Sequence, residues 1–216
     1  MNYTTAEIAE AVLKAINKME EAEKTKDLIP VGVSNRHVHL DERALKILFG
    51  EGYKLTPLKD LSQKGQYACK EVVTLIGPSL RPITNVRVLG PLRKRPQVEI
   101  SATDSYVLKV KPPVRESGKT NGSSAVYIAG PKGVMELDEC CIIANRHIHM
   151  SHADAARFAV KDGDTVTVDV IGTRRTRWYD VQIRVSDEFS LEMHVDTDDA
   201  NAVGIKNGSV VKIVKE

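Results

Sequence analysis

Cysteine is scarce in this chain: Cys69, Cys140 and Cys141 are the only three among 216 residues. They make no Cys-x-x-Cys pair and cannot frame a disulfide-stapled fold, which points to a reducing compartment, the cytoplasm. Long apolar runs are missing too. None approaches the ~20 residues that a membrane-spanning helix needs, so no membrane partner is expected. The first residues carry charge every few positions between Thr4 and Lys24, unlike the apolar centre of a secretory signal. Charge of one sign is also lacking. Lys and Arg total 31 against 29 Asp and Glu, a formal +2, too balanced for a protein built to hold nucleic acid. What is present is ordinary core material. A 42% hydrophobic and 28% charged composition in 23.8 kDa suits one large or two small soluble domains rather than disorder.

The order of patterns along the chain is helix first, then mostly strand. Ile8, Val12, Ile16 and Met19 recur at helical spacing, and Thr4 with Glu7 has the form of a capping box. This amphipathic N-terminal helix, with its polar linker, fills residues 1–27. It is either a docking peptide or a cap on the domain that follows. From Ile29 onward, short apolar runs alternate with Gly and Pro turns, among them Val72–Ile76, Val86–Leu89, Ala125–Ile128, Thr165–Val170, Val181–Val185 and Val210–Val214. Many short strands with frequent turns predict small β-barrels. Two short helices are expected among them, Asp41–Phe49 and Ser151–Val160.

An internal repeat organises the histidines. Asn35-Arg36-His37-Val38-His39-Leu40 returns 110 residues later as Asn145-Arg146-His147-Ile148-His149-Met150. A weaker echo places Glu99, in Gln97-Val98-Glu99-Ile100, opposite His194, in Glu192-Met193-His194-Val195, at an offset of 95. A duplication with one length change accounts for both offsets and produces two parallel triads: His37, His39, Glu99 and His147, His149, His194. Residues i and i+2 of an extended strand share a face, so both imidazoles of a His-x-His pair can reach one ion. A third protein donor then leaves one position open, as in catalytic zinc sites. A single His-x-His is more often two ordinary histidines. Two copies in matching context use five of the six histidines and leave only His152 over, which favours a two-metal site.

The same phrases resemble the PduL-type phosphate acyltransferases of bacterial microcompartments. The likeness runs through Ile29–Leu40, Gly65–Ala68, Leu75–Pro78, Val86–Arg93, Gln97–Ser101, Arg146–Ser151 and Leu191–Ala202. Lys64 stands where a proline is common in that family, and Lys109 where a glycine is expected. The resemblance implies a mainly β fold of two similar β-barrels with short capping helices and swapped first strands. One barrel would hold 28–36 plus 145–216 and the other 37–144, with the two-metal site between them. It further implies reversible transfer of a short acyl group, propanoyl or acetyl, between coenzyme A and phosphate. Zinc would be bound twice per chain by the two triads. Arg93 matches the phosphate-contacting arginine, and Ser34, Lys59, Arg87, Leu89 and Asn201 match positions of the coenzyme A site. Docking of residues 1–27 to microcompartment shell or core proteins is implied as well, and a homo-oligomer, a dimer or a larger assembly, is expected.

Two other classes fit parts of the sequence. His-x-His also opens the metal site of barrel hydrolases, but those are parallel α/β barrels of ~250 residues or more, and this chain is shorter and richer in strand. The turns Val160-Lys-Asp-Gly-Asp and Ile205-Lys-Asn-Gly-Ser also suit a non-catalytic β-barrel scaffold. Such a module would not need three-donor metal sites. Without the resemblance, Arg93 between Pro91 and Pro96 reads as a solvated loop charge.

Overall fold

A computed structural model describes residues 25–214, together with residues 4, 7, 10–14 and 16. In chain order its elements are β1 (Leu28–Ser34), β2 (His37–His39), α1 (Glu42–Phe49), β3 (Pro57–Asp60), β4 (Tyr67–Ile76), β5 (Pro82–Gly90), β6 (Gln97–Glu99), α2 (Ala102–Leu108) and β7 (Val114–Arg115). There follow β8 (Ser124–Ala129), β9 (Val134–Ala144), β10 (His147–Met150), α3 (His152–Phe158), β11 (Thr165–Ile171), β12 (Thr176–Val185), β13 (Glu192–Asp196), α4 (Thr197–Val203) and β14 (Val210–Ile213).

The strands close into two six-stranded barrels. One runs β1-β13-β10-β12-β11-β14 and shuts where β14 pairs antiparallel with β1. The other runs β4-β5-β2-β6-β9-β8 and shuts where β8 pairs with β4, with β3 and β7 added on β4 and β9. Closure removes free strand edges, and period-2 alternation fills each interior. Ile29, Val31, Ile148, Val168, Trp178, Ile183, Met193 and Val211 are buried in the first. Val38, Val73, Leu75, Val86, Val88, Val98, Ile128 and Cys141 are buried in the second. Burying such a side chain contributes about 1.5–3 kcal/mol, and each barrel has its own apolar cluster.

The first strands are exchanged. β1 precedes the central barrel in sequence, yet it lies parallel to β13 of the C-terminal barrel, with Gly32 opposite His194. β9 closes the central barrel on β6 and β8 just before the chain returns to the C-terminal one. The two crossings between barrels are Asn35-Arg36 and Asn145-Arg146. The repeated Asn-Arg dipeptides are therefore the junctions, and each His-x-His begins immediately beyond one.

Caps explain where the helices start. The Asp41 carboxylate accepts the Ala44 N–H at 2.7 Å ahead of α1, and Ser151 with Asp154 forms a reciprocal capping box ahead of α3. The sequence pattern had predicted those two helices, and two more stand beside them. α2 begins at the Ser101–Asp104 capping box, and α4 at Asp196, which accepts the Asp199 N–H. Each is seven residues long, as α3 is, and a cap pair marks each start in the sequence. Near the N-terminus, Thr4 N–H donates to Glu7 Oε2 at 2.7 Å and Glu7 N–H to Thr4 Oγ1 at 3.3 Å, the expected box. Of the four apolar residues at helical spacing, Val12 and Ile16 are exposed; Ile8 and Met19 lie outside the described residues. Among the described residues no helix is long and apolar enough to cross a membrane.

The length difference between the repeats also has a place. Asp41 and Ser151, which cap α1 and α3, keep the 110-residue offset, whereas Ser101 and Asp196, which cap α2 and α4, stand 95 apart. The strand register changes offset with them: His37 pairs with Arg87 as His147 pairs with Gln182. The extra residues thus lie between α1 and β5, mostly in the segment that carries β3. That segment reaches across to the other barrel. Gln63 Nε2 donates to the Ser190 carbonyl at 3.1 Å, Ser190 N–H donates back to Gln63 Oε1 at 3.2 Å, and Lys64 Nζ donates to the Asp187 carbonyl at 3.3 Å.

Candidate active site

Strand register places the two triads in equivalent positions. His37 faces Glu99 and His39 faces Gln97 across the β2–β6 pair; His147 faces His194 and His149 faces Glu192 across β10–β13. Among the described residues, the His, Cys, Asp and Glu donors that converge to within 4.8 Å of one another are those of His37, His39 and Glu99. In the second set the rings gather with centroids 4.6, 4.9 and 5.2 Å apart. There, His194 Nε2 lies 3.1 Å from the Glu192 carboxylate.

Both sets open on one cavity of about 600 Å³ between the barrels, which all six residues line. Arg93, Ser34, Lys59, Arg87 and Leu89 line it too. Asn201 does not: it is exposed on α4. Arg87 donates through Nη1 to the Cys69 and Lys70 carbonyls at 3.0 and 2.9 Å. Further lining residues went unread in the sequence: Gln63, Ser117, Arg184, Phe189 and Glu192. The Glu192 carbon skeleton fits because Gly32 lies opposite, where a Cβ would stand 2.8 Å from the Glu192 carboxyl carbon.

Junction residues orient the imidazoles. The Asn35 carbonyl lies 2.8 Å from His37 Nδ1 and the Asn145 carbonyl 2.8 Å from His147 Nδ1. A carbonyl only accepts, so Nδ1 carries the proton and Nε2 is left to donate its lone pair, the usual support of a metal-binding histidine. Arg36 Nε, 2.9 Å from Asp104, and Arg146 Nη1, 3.4 Å from Asp199, anchor the two junctions in the same way. Glu99 is held from two sides: Gln97 Nε2, two positions before it, donates to Glu99 Oε1 at 2.5 Å, and Ser117 Oγ donates to the same oxygen at 2.9 Å.

Electrostatics differ between the two sets. Burial alone would raise the Glu99 carboxyl, but the facing His37, with His39 and Ser117, holds it well below the usual carboxylate range; burial would lower His37, but the same carboxylate raises it. Burial pushes His147 down to about 4, aided by His194, and pushes His149 down to about 2, aided by His147 and His194. Neutral imidazole is the form that binds metal. Buried polar atoms without a hydrogen bond cost about 1–3 kcal/mol each. His39 Nδ1 and both ring nitrogens of His149 are such atoms, and Ser123 Oγ is the remaining one among the described residues. Orphaned nitrogens concentrated on one cavity, with a carboxylate beside them, fit a borderline cation such as zinc.

A family model described as phosphate propanoyltransferase matches residues 30–206. The chain belongs to the phosphate propanoyltransferase family. A phosphate propanoyltransferase of Lachnoclostridium phytofermentans is 52% identical over 207 residues, covering 96% of each chain. One of Thermotoga maritima is 50% identical, covering 96% of this chain and 99% of that one, and one of Clostridioides difficile is 49% identical, covering 97% of each. These relatives are acyltransferases by name, and so is this member of the family. The residues 30–206 that the family description spans contain every member of both triads and Arg93.

Proposed function

We propose that the enzyme transfers a short acyl group, propanoyl or acetyl, reversibly between coenzyme A and inorganic phosphate in the cavity between the barrels. In one direction a phosphate oxygen attacks the thioester carbonyl and the coenzyme A thiol leaves. In the other the thiol attacks the acyl phosphate carbonyl and phosphate leaves. His37, His39 and Glu99 would hold one zinc and His147, His149 and His194 a second. Bound zinc lowers the pKa of a nearby thiol and polarises a carbonyl. Arg93 offers a planar fork to phosphate, with Nη1 held 3.3 Å from Ser117 Oγ. Ser34, Lys59, Arg87 and Leu89 are assigned to coenzyme A within the cavity, and Asn201 to the part that extends beyond it. Direct transfer without an acyl-enzyme is the favoured route, because the three cysteines are buried away from the cavity lining.

The observation that carries this reading is the facing of two equivalent donor sets and Arg93 onto one cavity in a chain of this family. We also take 28–36 with 145–216 and 37–144 as the two domains. Residues 1–27 are assigned as a targeting peptide for a bacterial microcompartment, on an enzyme that works as a dimer. Coenzyme A release from acetyl-, propanoyl- and butanoyl-CoA, with and without phosphate, tests the reaction; release indifferent to phosphate would identify a hydrolase. About two zinc ions per chain are expected by elemental analysis, and His37→Ala or His147→Ala should each remove most turnover. A fully active preparation with one ion or none would end the two-zinc reading.

A further inference from the structure

We propose that Arg184 is a second phosphate-binding arginine, which closes on the anion from the C-terminal barrel while Arg93 holds it from the central one. This inference rests on the phosphate-dependent reaction proposed above. Arg184 sits on β12 beside His149, in parallel register, and lines the same cavity as Arg93. Its side chain is 23% exposed, and its Nε is only 3.5 Å from the Glu116 carboxylate. That carboxylate is already shared with Lys119 Nζ at 2.6 Å and Gln182 Nε2 at 3.1 Å. The guanidinium carbon lies 5.7 Å from the centroid of the Phe189 ring. Among the described residues the two terminal nitrogens of Arg184 make no hydrogen bond. Arg184 is thus held from behind and presents unused donors to the cavity.

Duplication does not explain the pair. In the repeat register Arg184 takes the place of Leu89: His39 pairs with Leu89 as His149 pairs with Arg184. Each barrel therefore brings an arginine to the cavity from a position its counterpart does not use. Burial lowers the Arg93 guanidinium, and Arg184 adds to that depression while Glu99 opposes it, so the two cations feel each other. Like charges facing one cavity repel unless an anion is shared between them. Phosphate and acyl phosphate carry about two negative charges and three free oxygens, enough to occupy two forks; the thioester carries none at its reacting end. Adjacent residues of one loop support both arginines, Ser117 accepting from Arg93 and Glu116 facing Arg184.

Steady-state kinetics of the full chain with its metal, varying phosphate and propanoyl-CoA separately, test the clamp. Arg184→Ala should raise the KM for phosphate about tenfold or more, with the KM for propanoyl-CoA changed less than about twofold. Arg184→Lys, which keeps charge and stem but not the fork, should give an intermediate rise and serves as the reading variant if the alanine variant does not fold. Glu116→Gln should raise the phosphate KM more modestly. Unchanged phosphate KM in Arg184→Lys and in any folded Arg184→Ala would overturn the clamp, as would equal rises in both KM values. Wild-type enzyme that shows no phosphate dependence would instead remove the underlying reaction, so the two failures are separable.

Discussion

Gly32→Ala is a one-methyl change that should act almost entirely through Glu192. The new Cβ would stand 2.8, 2.9 and 3.0 Å from Cδ, Oε2 and Oε1 of that carboxylate, well inside contact distance, so the flexible Glu192 side chain must swing away. It then gives up the Ser62 Oγ hydrogen bond and its 3.1 Å approach to His194. A hydrogen bond to a charged group is worth about 1.5–3 kcal/mol net. Glu192 is 16% exposed, so water recovers part of the loss. Replacing glycine by alanine in a strand returns about 0.5–1 kcal/mol. The net cost should be about 1–2 kcal/mol in urea unfolding followed by circular dichroism. In a Glu192→Ala background the same change should be neutral or stabilising, so the double-mutant cycle should show a coupling of about 1.5–3 kcal/mol. Additive effects within about 0.5 kcal/mol would refute the reasoning.

Lys109 ends α2 at φ 59°, the left-handed region, where the equivalent cap of α4 is Gly204 at φ 71°. Lys109→Gly should therefore stabilise by about 0.5–1 kcal/mol, strain relief outweighing the extra freedom of the unfolded chain; a lower urea midpoint would contradict it. Burial pushes the thiols of Cys69 and Cys140 up to about 11 and 12 and that of Cys141 higher. All three are then protonated at pH 8, and a thiol reagent should label fewer than one per native chain but all three in denaturant. A chain starting at Asp27 should keep its turnover and a thermal midpoint within about 5 °C, while losing self-association; an inactive or unfolded product would place residues 1–26 in the core.

The donors were readable because their chemistry is local. Asn-Arg-His-x-His occurs twice, an i, i+2 pair shares a face whatever the strand's neighbours, and the echo of Glu99 at His194 needed only the second offset. Short β runs broken by Gly and Pro announced barrels for the same reason, since alternation is a property of the strand alone. Other features depended on what lies across the fold. No pattern in Val31-Gly32-Val33 tells that Gly32 makes room for Glu192, about 160 residues away, or that Ser62 and Gln63 reach the other barrel. Nothing in Gln182-Ile183-Arg184 singles out Arg184; only register sets it beside His149 on the cavity shared with Arg93. Asn201 matched a motif, yet the turn of α4 leaves it outside that cavity. Sequence alone determined which residues carry donor atoms and on which face of each strand they sit. Tertiary closure of two exchanged barrels decided which of them meet, because side-chain convergence depends on strand order and register between segments far apart in the chain.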